Sequence, residues 1–293
     1  MKKILYALLV AVVATSVNAK EDSAYYINNN GIEISQKQYS NLQGLGFTED
    51  QIARMDINTF NDLKDTEATI VAQSASHYVK ITYLQNGIKK ERYEVVNENE
   101  YSGRLTNPTS LLRGPVGNYY QGMWATDDLA VVSTISNVDD NYMFYRVDVY
   151  NYDIPTVRSF DIYGIGIDSG KVQIASPVFC QQTWTNSSGT HTSGGCYPKT
   201  ENTGGSAMFE LPTGTLYSLE TYIGFEVSKK SGVGTIYTIQ AAGDYAHANQ
   251  TVTYTVYNYY TADISGISVF SPYSSKFDQY FSPPSAAVFN GTW

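Results

Sequence analysis

Cysteine, histidine and proline are scarce in this chain of 293 residues, at two, three and nine copies. Two cysteines rule out a disulfide-dense scaffold. Three histidines, His77, His191 and His247, stand in no zincin or zinc-finger spacing, so no metal site is written as a motif. Charged residues make up only 16% of the chain against 42% hydrophobic, which excludes a disordered polyelectrolyte. No Gly-x-Ser-x-Gly nucleophile elbow and no complete EF-hand loop occurs. What the chain has in excess is tyrosine, 26 residues in a 14% aromatic composition, and tyrosine favours strands and half-wet surfaces. The expectation is a β-rich protein with room for one large domain or two unequal ones.

The first 19 residues predict a secretory signal peptide. Met1-Lys2-Lys3 is basic, residues 4–13 are apolar apart from Tyr6, and Val17-Asn18-Ala19 places small residues at the cleavage positions. That apolar run is shorter than the roughly 20 residues needed to cross a bilayer, and no later run approaches this length. The expected location is therefore extracellular, without a transmembrane segment after cleavage. Removing two lysines takes the formal charge from −9 to −11. So acidic a chain repels nucleic acid and anionic membranes. In an oxidising compartment Cys180 and Cys196 are expected to form one disulfide, closing the Ser/Thr/Gly-rich polar loop 181–195; free thiols are the alternative in a host lacking disulfide machinery.

Residues 20–64 read as a small α+β unit. Asn28-Asn29-Asn30-Gly31 lies between Tyr25-Tyr26-Ile27 and Ile32-Glu33-Ile34, a hairpin signal. Ser35…Gln38 and Thr48…Gln51 have capping-box spacing, and Asp56 can cap a third helix carrying Ile57, Phe60 and Leu63. The run Asn30-Gly31-Ile32…Tyr39…Leu42…Leu45-Gly46-Phe47-Thr48-Glu49-Asp50-Gln51-Ile52…Met55…Phe60-Asn61 resembles an N-terminal segment recurring in secreted proteins of Gram-positive bacteria. It covers about 40 residues, and the resemblance implies no particular activity.

Residues 65–117 read as a linker, a hairpin around Gln85-Asn86-Gly87 and a long loop. From 118 to 293 the chain reads as an antiparallel β-sandwich. Tyr217, Leu219, Ile223, Phe225 and Val227 alternate with Ser218, Glu220, Glu226 and Ser228, and Met143, Tyr145, Val147 and Val149 alternate with Arg146 and Asp148. Similar candidates fall at 129–135, 158–167, 171–179, 207–211, 235–241, 251–256 and 264–270. Short strands joined by Asn, Asp, Gly, Ser and Pro, with no helical pattern between them, argue against a parallel α/β sheet.

Candidate sites follow from side-chain chemistry. Asp244-Tyr245-Ala246-His247 is a polar cluster in which His247, beside a carboxylate, has the makings of a general base, or simply of a ring bonded to local backbone. Asp127-Asp128 and Asn137-Val138-Asp139-Asp140-Asn141 supply the oxygens that Ca2+ uses, and also those that turns use. No other cofactor is implied. Glu210, Glu220 and Glu226 are candidates for a hydrolytic carboxylate pair, or for the wet face of a sheet. Tyr119, Tyr120, Trp124, Tyr257, Tyr259 and Tyr260, with Tyr142, Tyr150 and Tyr152, are too many for one core, so some are expected on the surface as a ligand-binding face. The resulting expectation is a secreted, non-enzymatic module binding a glycan or a protein. The alternatives are a carbohydrate-active hydrolase and a lytic pore former built on residues 181–206.

Overall fold

The computed structural model describes residues 25–85, 88–97, 124–152, 154–252, 277–279 and 285–293. Two compact units divide between Glu67 and Ala68. The first carries a short antiparallel pair, β1 (Tyr26–Ile27) and β2 (Glu33–Ile34), then α1 (Gln36–Gly44), α2 (Glu49–Arg54) and α3 (Ile57–Leu63). Gly31, at φ 77°, makes the hairpin turn. Ser35 and Thr48 form reciprocal capping boxes with Gln38 and Gln51, and the Asp56 carboxylate takes the Asn58 and Thr59 N–H groups. The unit closes on Asn28, whose buried amide donates to the Met55 carbonyl at 2.9 Å and accepts from the Ile32 N–H at 3.0 Å.

The second unit is a β-sandwich. Its strands are β3 (Thr69–Gln85), β4 (Ile88–Asn97), β5 (Trp124–Asn137), β6 (Tyr142–Asn151), β7 (Phe160–Ile167), β8 (Val172–Ile174), β9 (Phe179–Asn186), β10 (Gly189–Ser193), β11 (Tyr197–Glu201), β12 (Gly204–Glu210), β13 (Leu216–Lys229), β14 (Thr238–Ala248), β15 (Phe277–Gln279) and β16 (Ser285–Asn290). An eight-stranded sheet runs β10-β9-β13-β6-β5-β3-β4, with β8 also on β13. A six-stranded sheet runs β11-β12-β7-β14-β15, with β16 also on β14. Every pairing among the described residues is antiparallel. One core lies between the sheets, drawn from Val131, Tyr145, Val147, Ile223 and Phe225 on one side and Tyr163, Ile165, Phe209, Ile239 and Tyr245 on the other. At Gly243 the sheets meet closely enough that a Cβ would overlap the Val147 side chain, and its N–H bonds to Ser133 Oγ at 3.0 Å.

Two boundaries differ from the sequence reading. The segment from 69 is not linker and separate hairpin: β3 pairs with both β4 and β5 and so belongs to the larger sheet. Its small polar residues resemble a linker in composition, yet Gln73 donates to Thr134 Oγ1 across the ladder at 3.0 Å. The polar stretch 181–195 is also not a loop but the hairpin β9–β10, zipped by hydroxyl contacts between Thr183 and Thr192 (3.4 Å) and between Thr185 and Thr190 (3.1 Å). The strand read at 264–270 and most of that at 251–256 lie outside the described residues.

Candidate functional site

The candidate polar cluster closes around a residue the sequence did not single out. The β7–β14 register sets His247 opposite Asp161 and Tyr245 opposite Tyr163. All four point between the sheets, continuing the core-facing parity of Ile165 and Ile167. Asp161, with no exposure, accepts from His247 Nδ1 at 2.7 Å and from the Tyr245 hydroxyl at 2.6 Å. A carboxylate buried this way is kept only because both its oxygens have donors. Thr221 Oγ1 reaches across from the larger sheet to Tyr163 Oη at 3.2 Å, and burial, reinforced by the Asp161 carboxylate, holds the Tyr163 phenol protonated well above its ordinary value. Such an Asp–His pair orients a ring for proton transfer, while Ser159, two residues before Asp161, is used by the fold: its Oγ accepts the Val252 N–H at 2.9 Å and donates to the same residue's carbonyl. The sequence signal was a lone acid in the apolar run Phe160-Asp161-Ile162-Tyr163.

Asp244, three residues from His247 on β14, bonds elsewhere, and its charge adds to burial in raising the phenol of Tyr78 on β3. It sits where the outer edge of β14 changes partner, from Ser285 opposite Gly243 to Gln279 opposite Ala246. Its carboxylate takes the Tyr245 N–H there at 2.7 Å. Burial pushes this carboxyl up to about 7.

Of the predicted aromatic face, Tyr119, Tyr120, Tyr257, Tyr259 and Tyr260 lie outside the described residues, and Trp124 is placed only as the first residue of β5. Tyr150 is partly buried, and burial followed by Asp148 raises its phenol. Among the described residues the exposed tyrosine rings are Tyr25 in the first unit and Tyr142, Tyr152, Tyr197, Tyr217 and Tyr237 in the second. Glu220 and Glu226 are six residues apart on β13, about 20 Å along a strand, which is beyond the reach of a glycosidase pair. Glu226 is raised, by burial and then by Asp139. Asp139 Oδ1 is committed to its own turn, accepting the Asn141 and Tyr142 N–H groups at 2.6 and 2.8 Å. Among the described residues no three His, Cys, Asp or Glu side chains gather as a metal would require.

Cys180 and Cys196 are joined, with Cα atoms 6.6 Å apart. The bridge links β9 of the larger sheet to the residue preceding β11 of the smaller one. Farther along β9, Trp184 stacks on His191 of β10 with ring centroids 5.5 Å apart. An open groove of about 1110 Å³ runs between Gln173, Ile174, Ala175, Ser176 and Pro177 on one wall and Thr200, Glu201 and Asn202 on the other, with Lys230 completing the lining. Ser176 is used by the fold, accepting the Glu226 N–H at 2.8 Å, and Glu201 pairs with Lys199. The side chains of Thr200, Asn202 and Lys230 make no hydrogen bond or ion pair with any described residue.

No protein-family model matches the chain, and no curated protein matches it in sequence. Among solved structures it is similar to the collagen-binding domain of Erysipelothrix rhusiopathiae surface protein RspB, at 9% identity and a TM-score of 0.34 over 73% of this chain and 56% of that one. It is also similar to the C-terminal domain of the Streptococcus agalactiae AgI/II polypeptide BspA, at 8% identity and a TM-score of 0.27 over 61% and 75% of the two chains. The chain thus spans 56% of the length of the first. At these identities and scores the likeness carries no argument about what this chain binds. Among the described residues no helix is long and apolar enough to cross a membrane.

Proposed function

We propose that this chain is an exported, non-enzymatic module that binds a glycan or an extended protein segment in the groove at the margin of its sandwich. The observation that carries the reading is the contrast in how polar groups are used. Thr200, Asn202 and Lys230 face the groove with unspent bonding capacity, whereas the acid–base groups Asp161, His247 and Tyr245 are buried and bonded to one another. Hydroxyl, amide and ammonium donors beside the apolar Ile174, Ala175 and Pro177 suit a hydroxylated or amide-bearing ligand that is neutral or singly anionic. Export follows from the signal-like residues 1–19 and agrees with the Cys180–Cys196 bridge.

The test is a panel of immobilised glycans and extracellular-matrix proteins probed with the chain beginning at Lys20, alongside an Asn202→Ala/Lys230→Ala variant. The reading expects at least one panel member to bind and the variant to lose about tenfold or more in affinity, the cost of roughly one good polar contact. A silent panel, or equal binding by the variant, would overturn it.

A further inference from the structure

The two walls of the groove belong to different sheets, and each is bonded to its own. The Ala175 N–H bonds to the Glu226 carbonyl, and the Glu226 N–H to Ser176 Oγ, both at 2.8 Å, fastening residues 173–177 to β13. The Ile167 N–H bonds to the Thr203 carbonyl at 2.9 Å, fastening the β11–β12 turn to β7. No hydrogen bond between described residues crosses from 173–177 to 200–203. β11, whose last residues line the opening, terminates its sheet and is paired with one described neighbour, β12.

Covalent chemistry bridges what hydrogen bonds do not. Cys180 follows Pro177 by three residues on the first wall's chain, and Cys196 precedes Thr200 by four on the second's, so the bond between them ties the two walls at their shared end. Both cysteines are only partly buried, within reach of a soluble thiol.

We propose that the Cys180–Cys196 disulfide is a redox-responsive clamp that fixes the separation of the groove walls. A dithiol reductant gives two electrons to the S–S bond. Each sulfur takes up one proton to become a thiol, and the reductant leaves as its own disulfide. With the bond opened, β10 stays on β9 and β11 on β12, the latter with Tyr197 also edge-on to Phe160, and the groove widens while the core between the sheets persists. The consequence for binding rests on the groove being the ligand site; the clamp itself does not.

The experiment therefore reads geometry without ligand. Nitroxides are attached through ketone-bearing residues replacing Gln173 and Asn202, and their separation is measured by pulsed electron resonance before and after dithiothreitol, and again in a Cys180→Ser/Cys196→Ser variant. Amide exchange is followed in parallel. The expected result is a narrow distance distribution that broadens and lengthens on reduction and in the variant. Exchange in β10 and β11 should accelerate on the order of 100-fold, and that of Ile223 and Tyr163 in the inner strands should stay slow. An unchanged distribution with both thiols confirmed by mass would overturn the clamp, as would loss of protection at Ile223 and Tyr163, which would make the bond a staple of the whole fold. A silent binding panel with a responsive distance would instead sink the ligand reading and leave the clamp standing.

Discussion

The buried cluster around Asp161 and the groove at the margin of the sandwich use similar chemical groups to opposite ends. In the cluster, each carboxylate oxygen of Asp161 has a donor, His247 or Tyr245, and the bonds join β14 to β7 beneath the sheet surface. In the groove, Asn202, Thr200 and Lys230 are held by backbone alone and their side chains are left unused. A polar group excluded from water must spend its bonds on the fold, while one at an open margin costs the fold nothing and stays available. The difference separates residues that specify structure from residues that can serve a ligand, and it makes the tempting Asp–His pair the weaker functional candidate.

The sharpest way to break that distinction is to remove the buried acceptor. Asp161→Ala leaves the His247 and Tyr245 donors in a dry interior, and the expected loss is on the order of 5 kcal/mol of unfolding free energy, read from the midpoint of a denaturant titration. A stability near wild type would mean that the cluster is not structural and would return it to contention as a reactive site. Asp244 comes next. Its folded carboxyl titrates at about 7 against an unfolded value of 3.8, so the native state holds a proton that the unfolded chain releases first. Stability is then full below pH 3.8, declines as pH rises to about 7, and is level above that. Asp244→Asn keeps an oxygen for the Tyr245 N–H and removes the charge. It should match wild type near pH 3 and exceed it by about 4 kcal/mol at pH 8, as thermal melts at the two pH values would show.

What could be read from the sequence depended on the range of the determinant. Caps are local, so Ser35 with Gln38, Thr48 with Gln51, and Asp56 all stand where their spacing implied. Alternation was legible where one face is apolar, as in β6 and β13. It was illegible in β9 and β10, where Thr, Ser and Gln occupy both faces and hydroxyl contacts line the pairing, and in β11, whose Tyr-Pro-Lys-Thr-Glu carries no apolar stripe. His247 was visible as a candidate. Its partner was not, because Asp161 lies 86 residues away and meets it only through the β7–β14 register, which no local pattern encodes. The groove escaped for the same reason: its walls come from turns in two sheets.

Two smaller effects sharpen the comparison from the side of the margin. Opening the Cys180–Cys196 bond removes a constraint on a loop of about 15 residues, worth about 3 kcal/mol in the chain-entropy model, and the Cys180→Ser/Cys196→Ser chain should lose no more than this in a denaturant titration. Smallest of all is the effect of Asn202→Ala. Its side chain bonds to no described residue, so truncation should leave the unfolding free energy within about 0.5 kcal/mol of wild type, the range of ordinary surface changes. If the groove is the binding site, the same substitution weakens capture of whichever panel member the chain binds. Stability unchanged with binding reduced is the signature of a residue held in reserve for a ligand. A destabilisation of several kcal/mol would place Asn202 with Asp161, among the groups the fold consumes.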